Sequence, residues 1–246
     1  MARTYKAPPL IEAICEFRFT SSQPWDWTIP GLVYEQIKKN LPYKEQVNTV
    51  EMKVDPMEGK VVQQSLPKMR FLNEDRTSLI QVGPDILSIH QLRPYDMWNN
   101  YKARILKYLQ IYYDEAKPLG FARAGLRYVN RIELPYEDVE LEDYFCVLPK
   151  VPHPVPQVFP SFLLQVDIPY SSAQSVLRIV FGALVPGESA NLAYALDVDM
   201  YSLDNAVPKI DQISDWLETA HNNIETAFDV AFTERTHREI FKEVSV

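Results

Sequence analysis

Residues 123–133 read R-A-G-L-R-Y-V-N-R-I-E, with Arg123, Arg127 and Arg131 spaced four apart. A guanidinium fork grips phosphate and carboxylate groups through paired hydrogen bonds, so such a stripe is a candidate anion clamp. If the stretch is a strand, alternation puts Ala124, Leu126, Tyr128, Asn130 and Ile132 on one face. The arginines then share the other face with Gly125, Val129 and Glu133. Tyr128 and Asn130 become structural residues, and a buried Asn130 amide must find partners. The same alternation sends Glu16, Arg18, Gln165, Asp167, Arg178, Asp197 and Asp199 to the arginine side. In one register of the strand at 68–73, Lys68 and Arg70 join them. The candidate ligand-binding set is therefore Arg18, Arg123, Arg127, Arg131 and Arg178. The same letters also fit a lattice of cross-strand salt bridges on a solvated sheet.

A second chemistry rests on carboxylates. D-V-D at 197–199 places Asp197 and Asp199 on one strand face, about 7 Å apart by strand rise. Asp167 on a neighbouring strand would make a third oxygen donor. Magnesium takes carboxylate oxygens and substrate phosphates, so metal-dependent phosphoryl transfer is the enzymatic alternative. Neutralisation by nearby arginines is the plainer reading of D-x-D.

Other sites have weaker support. His90, His153, His221 and His237 have no metal-ligand spacing, and each reads as packed or solvated. Cys15 falls on an apolar strand face as a small core residue, and Cys146 has only His153 near it in sequence. There is no G-x-S-x-G elbow. Gly182 and Gly187 have phosphate-loop spacing, but Glu188 stands where lysine is needed and the segment joins two strands. Trp25, Trp27, Tyr43, Tyr95 and Trp98 read as packing under helices or as anchors for a protein partner.

The elements that must position these residues follow from periodicity. Strands are expected at 8–19, 47–54, 68–73, 77–82, 86–92, 122–134, 161–169, 175–184 and 191–202. Helices are expected at 28–40, about 95–116 with the stripe Trp98, Tyr101, Ile105, Tyr108, Leu109 and Tyr112, and about 208–231. Short helices are expected near 139–147 and in the tail TERTHREIFKEV. A proline strap, PKVPHPVPQVFP, crosses between elements.

Each half, 1–120 and 121–246, thus reads strand, helix, several strands, long helix. The expected fold class is α+β: a curved antiparallel sheet with long helices on one face, built from two similar β-α-β(n)-α halves in one compact unit. That arrangement is similar to the TATA-binding-protein-like fold, with a helix-grip fold as the alternative.

Composition narrows the classes. The net charge of −8 disfavours a protein that holds nucleic acid by neutralising phosphates. Glycine, at seven residues, is scarce for phosphate-cradling loops. No apolar run approaches the roughly 20 residues of a membrane span. The start, MARTYKAPPLIEAICEF, lacks the pattern of a signal peptide, and two cysteines make no disulfide framework. A cytoplasmic chain with no cofactor and no membrane partner is expected.

YKAPPLIEAICEFRF, GLRYVNRIEL and IETAFDVAFTERTHREIF resemble the signatures of a sporadically distributed prokaryotic protein family of unknown function. The resemblance implies a bacterial or archaeal protein, and patchy occurrence associates such genes with mobile or defence loci. It implies no catalytic residue. The reading favoured by the residues is a non-enzymatic binding or assembly module. Its open sheet face, centred on Arg127 and Arg131, would hold a protein partner or an anionic ligand. A homo-oligomer is compatible with this, and single-stranded nucleic-acid binding is the third hypothesis.

Overall fold

The computed structural model describes residues 3–21, 23–54, 61–134, 140–156, 159, 161–184, 192–204 and 206–244, leaving aside the side chains of 49–54 and 61–66. In chain order the elements are β1 (Leu10–Thr20), α1 (Ile29–Ile37), β2 (Tyr43–Val54), β3 (Val61–Leu72), β4 (Ser78–Gly83) and β5 (Ile86–Leu92). There follow α2 (Trp98–Ala116), β6 (Gly120–Leu134), β7 (Leu163–Tyr170), β8 (Ser175–Ala183), β9 (Leu192–Ser202) and α3 (Ile213–Val230). The class is α+β. The nine strands make one unclosed sheet in the order β2-β3-β4-β5-β1-β6-β9-β8-β7, and the hairpins β2–β3, β3–β4, β4–β5, β7–β8 and β8–β9 pair antiparallel, as does β6 with β9. No helix among the described residues is long and apolar enough to cross a membrane.

The chain divides into two compact units: residues 1–13, 125–206 and 214–246 in the first, and 14–124 with 207–213 in the second. In the second unit, α2 forms because its apolar residues recur at spacings of three and four. Tyr101, Ile105, Tyr108, Leu109 and Tyr112 are all buried. Asp96 holds the start of the helix by accepting from the Met97 amide at 2.8 Å, Asn100 Nδ2 at 2.9 Å and Arg104 Nη1 at 2.8 Å. Lys117 ends it in the left-handed region, just before Pro118. The helices meet the sheet through Tyr34 stacked on Phe71, Phe19 stacked on Tyr112, and the Tyr101 hydroxyl donating to the Ile89 carbonyl.

In the first unit, α3 buries Leu217, Ala220, Ile224 and Ala227. It is tied to strands by Trp216 Nε1 donating to Ser175 Oγ at 3.1 Å and by His221 Nδ1 bonded to the Tyr128 hydroxyl at 2.8 Å. His221 Nε2 lies 3.3 Å from Glu225, and the His221–Glu225 bond holds that carboxyl below its usual range. The chain ends are pinned together: Tyr5 bridges Glu243 in β fashion, and Tyr5, Phe228, Phe232, His237 and Phe241 form an aromatic cluster. Arg3 bonds Asp229, Glu234 and Glu243 beside it.

One expected helix is corrected. In place of a helix over 139–147 the described part holds one 3-10 turn, Leu141–Asp143, residue 139 lying outside the described residues. The backbone that would continue it is committed elsewhere: Phe145 bridges Phe232, Cys146 N donates to Ala231 O, and Thr233 N donates to Tyr144 O. The expected short tail helix is present over 234–240 and ends in a π turn, Thr236–Ile240, fixed by Thr236 Oγ1 donating to Tyr144 O at 2.6 Å. Strand β3 also begins earlier than the expected 68, at Val61.

Candidate functional site

Alternation along β6 holds: Ala124, Leu126, Tyr128, Asn130, Ile132 and Leu134 are buried. Asn130 is 2% exposed, and its Nδ2 donates to the Leu196 carbonyl at 3.2 Å. Tyr128 is buried against His221.

On the opposite face of the first unit, register builds a row of charges. Arg127 pairs with Asp199, Asp199 with Arg178, and Arg178 with Asp167, so four strands contribute alternating signs to one line. Arg178 grips Asp167 through Nε at 2.8 Å and Nη2 at 2.7 Å, and its Nη2 also reaches the Tyr201 hydroxyl at 3.3 Å. The bond from Arg178 holds the Asp167 carboxyl below the usual carboxylate range. Arg127 reaches diagonally to Asp197, its Nε lying 2.8 Å and 3.0 Å from the two carboxylate oxygens while Nη2 bonds the same group. Arg131 pairs with Glu133 at 2.8 Å. Val129, Val176, Val180 and Ala195 lie half-buried between these pairs.

In the second unit, Arg18 and Arg123 both contact Glu16, at 3.0 Å and 3.4 Å. Every arginine of the predicted anion clamp thus carries a carboxylate partner. The three aspartates of the alternative metal site are not on adjoining strands, because β8 separates β7 from β9. Asp167 and Asp197 each hold an arginine. Among the described residues no three His, Cys, Asp or Glu side chains are grouped to hold a metal.

Sequence reasoning left the register of β3 open. Arg70 pairs with Gln81, which pairs with Ser88, and Glu45 pairs with Arg70. Alternation therefore places Lys68, Arg70, Gln81, Ser88 and His90 on one face, opposite Phe71, Ile80 and Ile89. Gln81 and Ser88 were missed as partners because the runs SLIQVG and ILSIHQL are buried almost throughout and mask their two faces. The strand-pairing polar residues were the available signal. Cys15 is buried and Cys146 exposed, both as free thiols. Trp27 and Tyr43 are about half exposed. With Gln46, Pro67, Lys68 and Met69, Trp27 lines a shallow cavity of about 240 Å³.

Fold and site together define an α+β protein with an open antiparallel sheet whose charged face is internally paired. No family model matches the chain, and none of the curated proteins compared with it is similar.

Proposed function

We propose that this protein is a non-enzymatic binding or assembly module, and that the paired-charge sheet face of the first unit docks a partner protein. The observation that carries this is the Asp167–Arg178–Asp199–Arg127 row, interleaved with half-buried Val129, Val176 and Val180. A free anion would have to displace a bidentate carboxylate from each arginine. A protein surface can instead lay its own charges and apolar groups over a face whose arginines are already paired, with little side-chain entropy left to lose. The strand order supports a fold of two related halves, similar to the TATA-binding-protein-like arrangement, with a 3-10 turn in the second half where the first has α1. Outward from β1 run β5, β4, β3 and β2, and outward from β6 run β9, β8 and β7.

The test is photo-cross-linking in the producing cell from a probe residue at Val129 or Val180, with exposed Val230 of α3 as control. The expected result is one discrete adduct from the two strand positions only. No adduct, or the same adduct from Val230, removes the docking face. No observation favours the phosphoryl-transfer alternative, since its carboxylates are engaged by arginines.

A further inference from the structure

We infer that the outer edge of β7 in the first unit is a self-association site, where a second copy of this chain adds its own β7 antiparallel across a two-fold axis at Val166. The edge lies beside the proposed docking face, and the inference stands without that reading. β7 is the last strand of the sheet order, so one of its sides has no neighbouring strand. Phe162 O accepts from Ala183 N at 3.2 Å, and the β7–β8 register continues that ladder from Leu163↔Gly182 to Tyr170↔Ser175. Hydrogen-bonded pairs recur at every second residue of an antiparallel ladder. Leu164, Val166 and Ile168 therefore turn their backbone groups to β8, while Leu163, Gln165, Asp167 and Pro169 turn theirs outward. Among the described residues no backbone hydrogen bond reaches that outward set.

Exposed sheet edges are ordinarily blunted by lysine, a bulge or proline. β7 has no lysine, its pairing with β8 runs one-to-one without a bulge, and its proline, Pro169, stands near the end. Its one charge, Asp167, is already gripped by Arg178. The side chains are uncovered as well. On the core face Leu164 pairs with buried Phe181 and Ile168 with buried Leu177. Leu164, Val166 and Ile168 nevertheless stay partly exposed, Val166 at 41%. On the opposite face Leu163 is 76% exposed.

The order of residues selects the occupant. L-L-Q-V-D-I-P has the same polarity in both directions about Val166: Leu163 mirrors Pro169, Leu164 mirrors Ile168, and Gln165 mirrors Asp167. An antiparallel copy centred there sets each apolar residue against an apolar one. Gln165 exchanges both backbone bonds with Asp167 of the second copy, and the Leu163 amide donates to the Pro169 carbonyl of the second copy. The Gln165 side-chain amide faces the Asp167 carboxylate of the second copy, which has acceptor capacity beyond its two bonds from Arg178. A shift of two residues would instead set Asp167 against Leu163 of the second copy. The core face of each sheet then continues into the other through Leu164, Val166 and Ile168.

The experiment follows the whole chain by sedimentation velocity from about 1 to 100 µM, a range that brackets micromolar association. A monomer–dimer equilibrium is expected. Val166→Lys sets two ammonium groups face to face at the axis, and Gln165→Pro removes an outward amide while leaving the bonds to β8. Each should weaken dimerisation about tenfold or more, with the thermal midpoint of dilute protein unchanged. Register is read by cysteine, with exposed Cys146 replaced by serine. Val166 faces itself in a non-hydrogen-bonded pair, where Cα atoms lie about 4.5 Å apart and a disulfide can form. Mild oxidation should link Val166→Cys into a covalent dimer and leave Leu163→Cys, set opposite Pro169, unlinked. A monomer throughout the range, a dimer that persists unchanged in both folded variants, or cross-linking that fails at 166 or is equal at 163 overturns the inference.

Discussion

Asn130 lends itself to a sharp test, because the structure assigns it one job. It is buried, and its amide donates to the Leu196 carbonyl. Asn130→Asp is nearly isosteric, yet it replaces that donor with an ionisable oxygen. Full burial raises a carboxyl by about 3 pH units or more, and each unit is worth about 1.4 kcal/mol. The expected loss at neutral pH is therefore about 4 kcal/mol relative to the unfolded chain, where aspartate ionises near pH 3.9. Because the folded-state value lies above the unfolded one, this penalty is absent below pH ~4 and grows as pH rises toward ~7. At low pH the protonated carboxyl can also donate to Leu196 in the place of the amide. Asn130→Ala should cost about 1–3 kcal/mol, from the lost side-chain bond and packing, with no added pH dependence. Urea denaturation of the three proteins at pH 4 and pH 7.5, at fixed ionic strength, reads both. The reasoning is refuted if the Asp and Ala variants lose equal stability with the same pH profile, or if Asn130→Asp lies within ~0.5 kcal/mol of the parent at pH 7.5.

Three further outcomes are expected. Arg178→Ala breaks a solvent-exposed pair, so the urea midpoint should report a loss of less than ~1 kcal/mol that shrinks further in high salt. Gly182→Ala places a Cβ 2.9 Å from the Phe162 carbonyl oxygen; since backbone must then move at the β7–β8 end, a loss of about 1–3 kcal/mol should appear in thermal melts. The Glu225 carboxyl is held low by its bond to His221. Its folded value lies below its unfolded one, so its contribution exists above the unfolded value and fades as pH falls through the folded one. Glu225→Gln should accordingly cost less than about 1 kcal/mol at pH 7, because the group is half exposed. Against the parent, the difference should close near pH 3 in the same melts.

Local pattern carried much of the architecture. The alternation in R-A-G-L-R-Y-V-N-R-I-E is enough to separate the core letters from the charged ones, because successive side chains on a strand must point to opposite faces. The three-and-four spacing of Tyr101, Ile105, Tyr108, Leu109 and Tyr112 likewise defines α2 before any contact is known. Burial of Cys15 and Asn130 follows from the same logic. Where local propensity was weak, in the described part of the segment expected to be helical at 139–147, long-range backbone bonds from Tyr144, Phe145 and Cys146 decided the outcome.

The sites depended on what no local pattern contains. Period two says which face Arg127, Arg178, Asp167 and Asp199 share, but only strand pairing sets them in one row, and only the strand order inserts β8 between the two carboxylate-bearing strands. A one-residue slip would send every one of those side chains to the core. Lys68 shows the same division. Its letter reads as a solvated charge, and its stem is buried where Gly83 on the adjacent strand leaves room for it. Faces are set by covalent geometry within each strand, so the sequence by itself determined them. Partners are set by register between strands distant in the chain, which the folded structure alone decided.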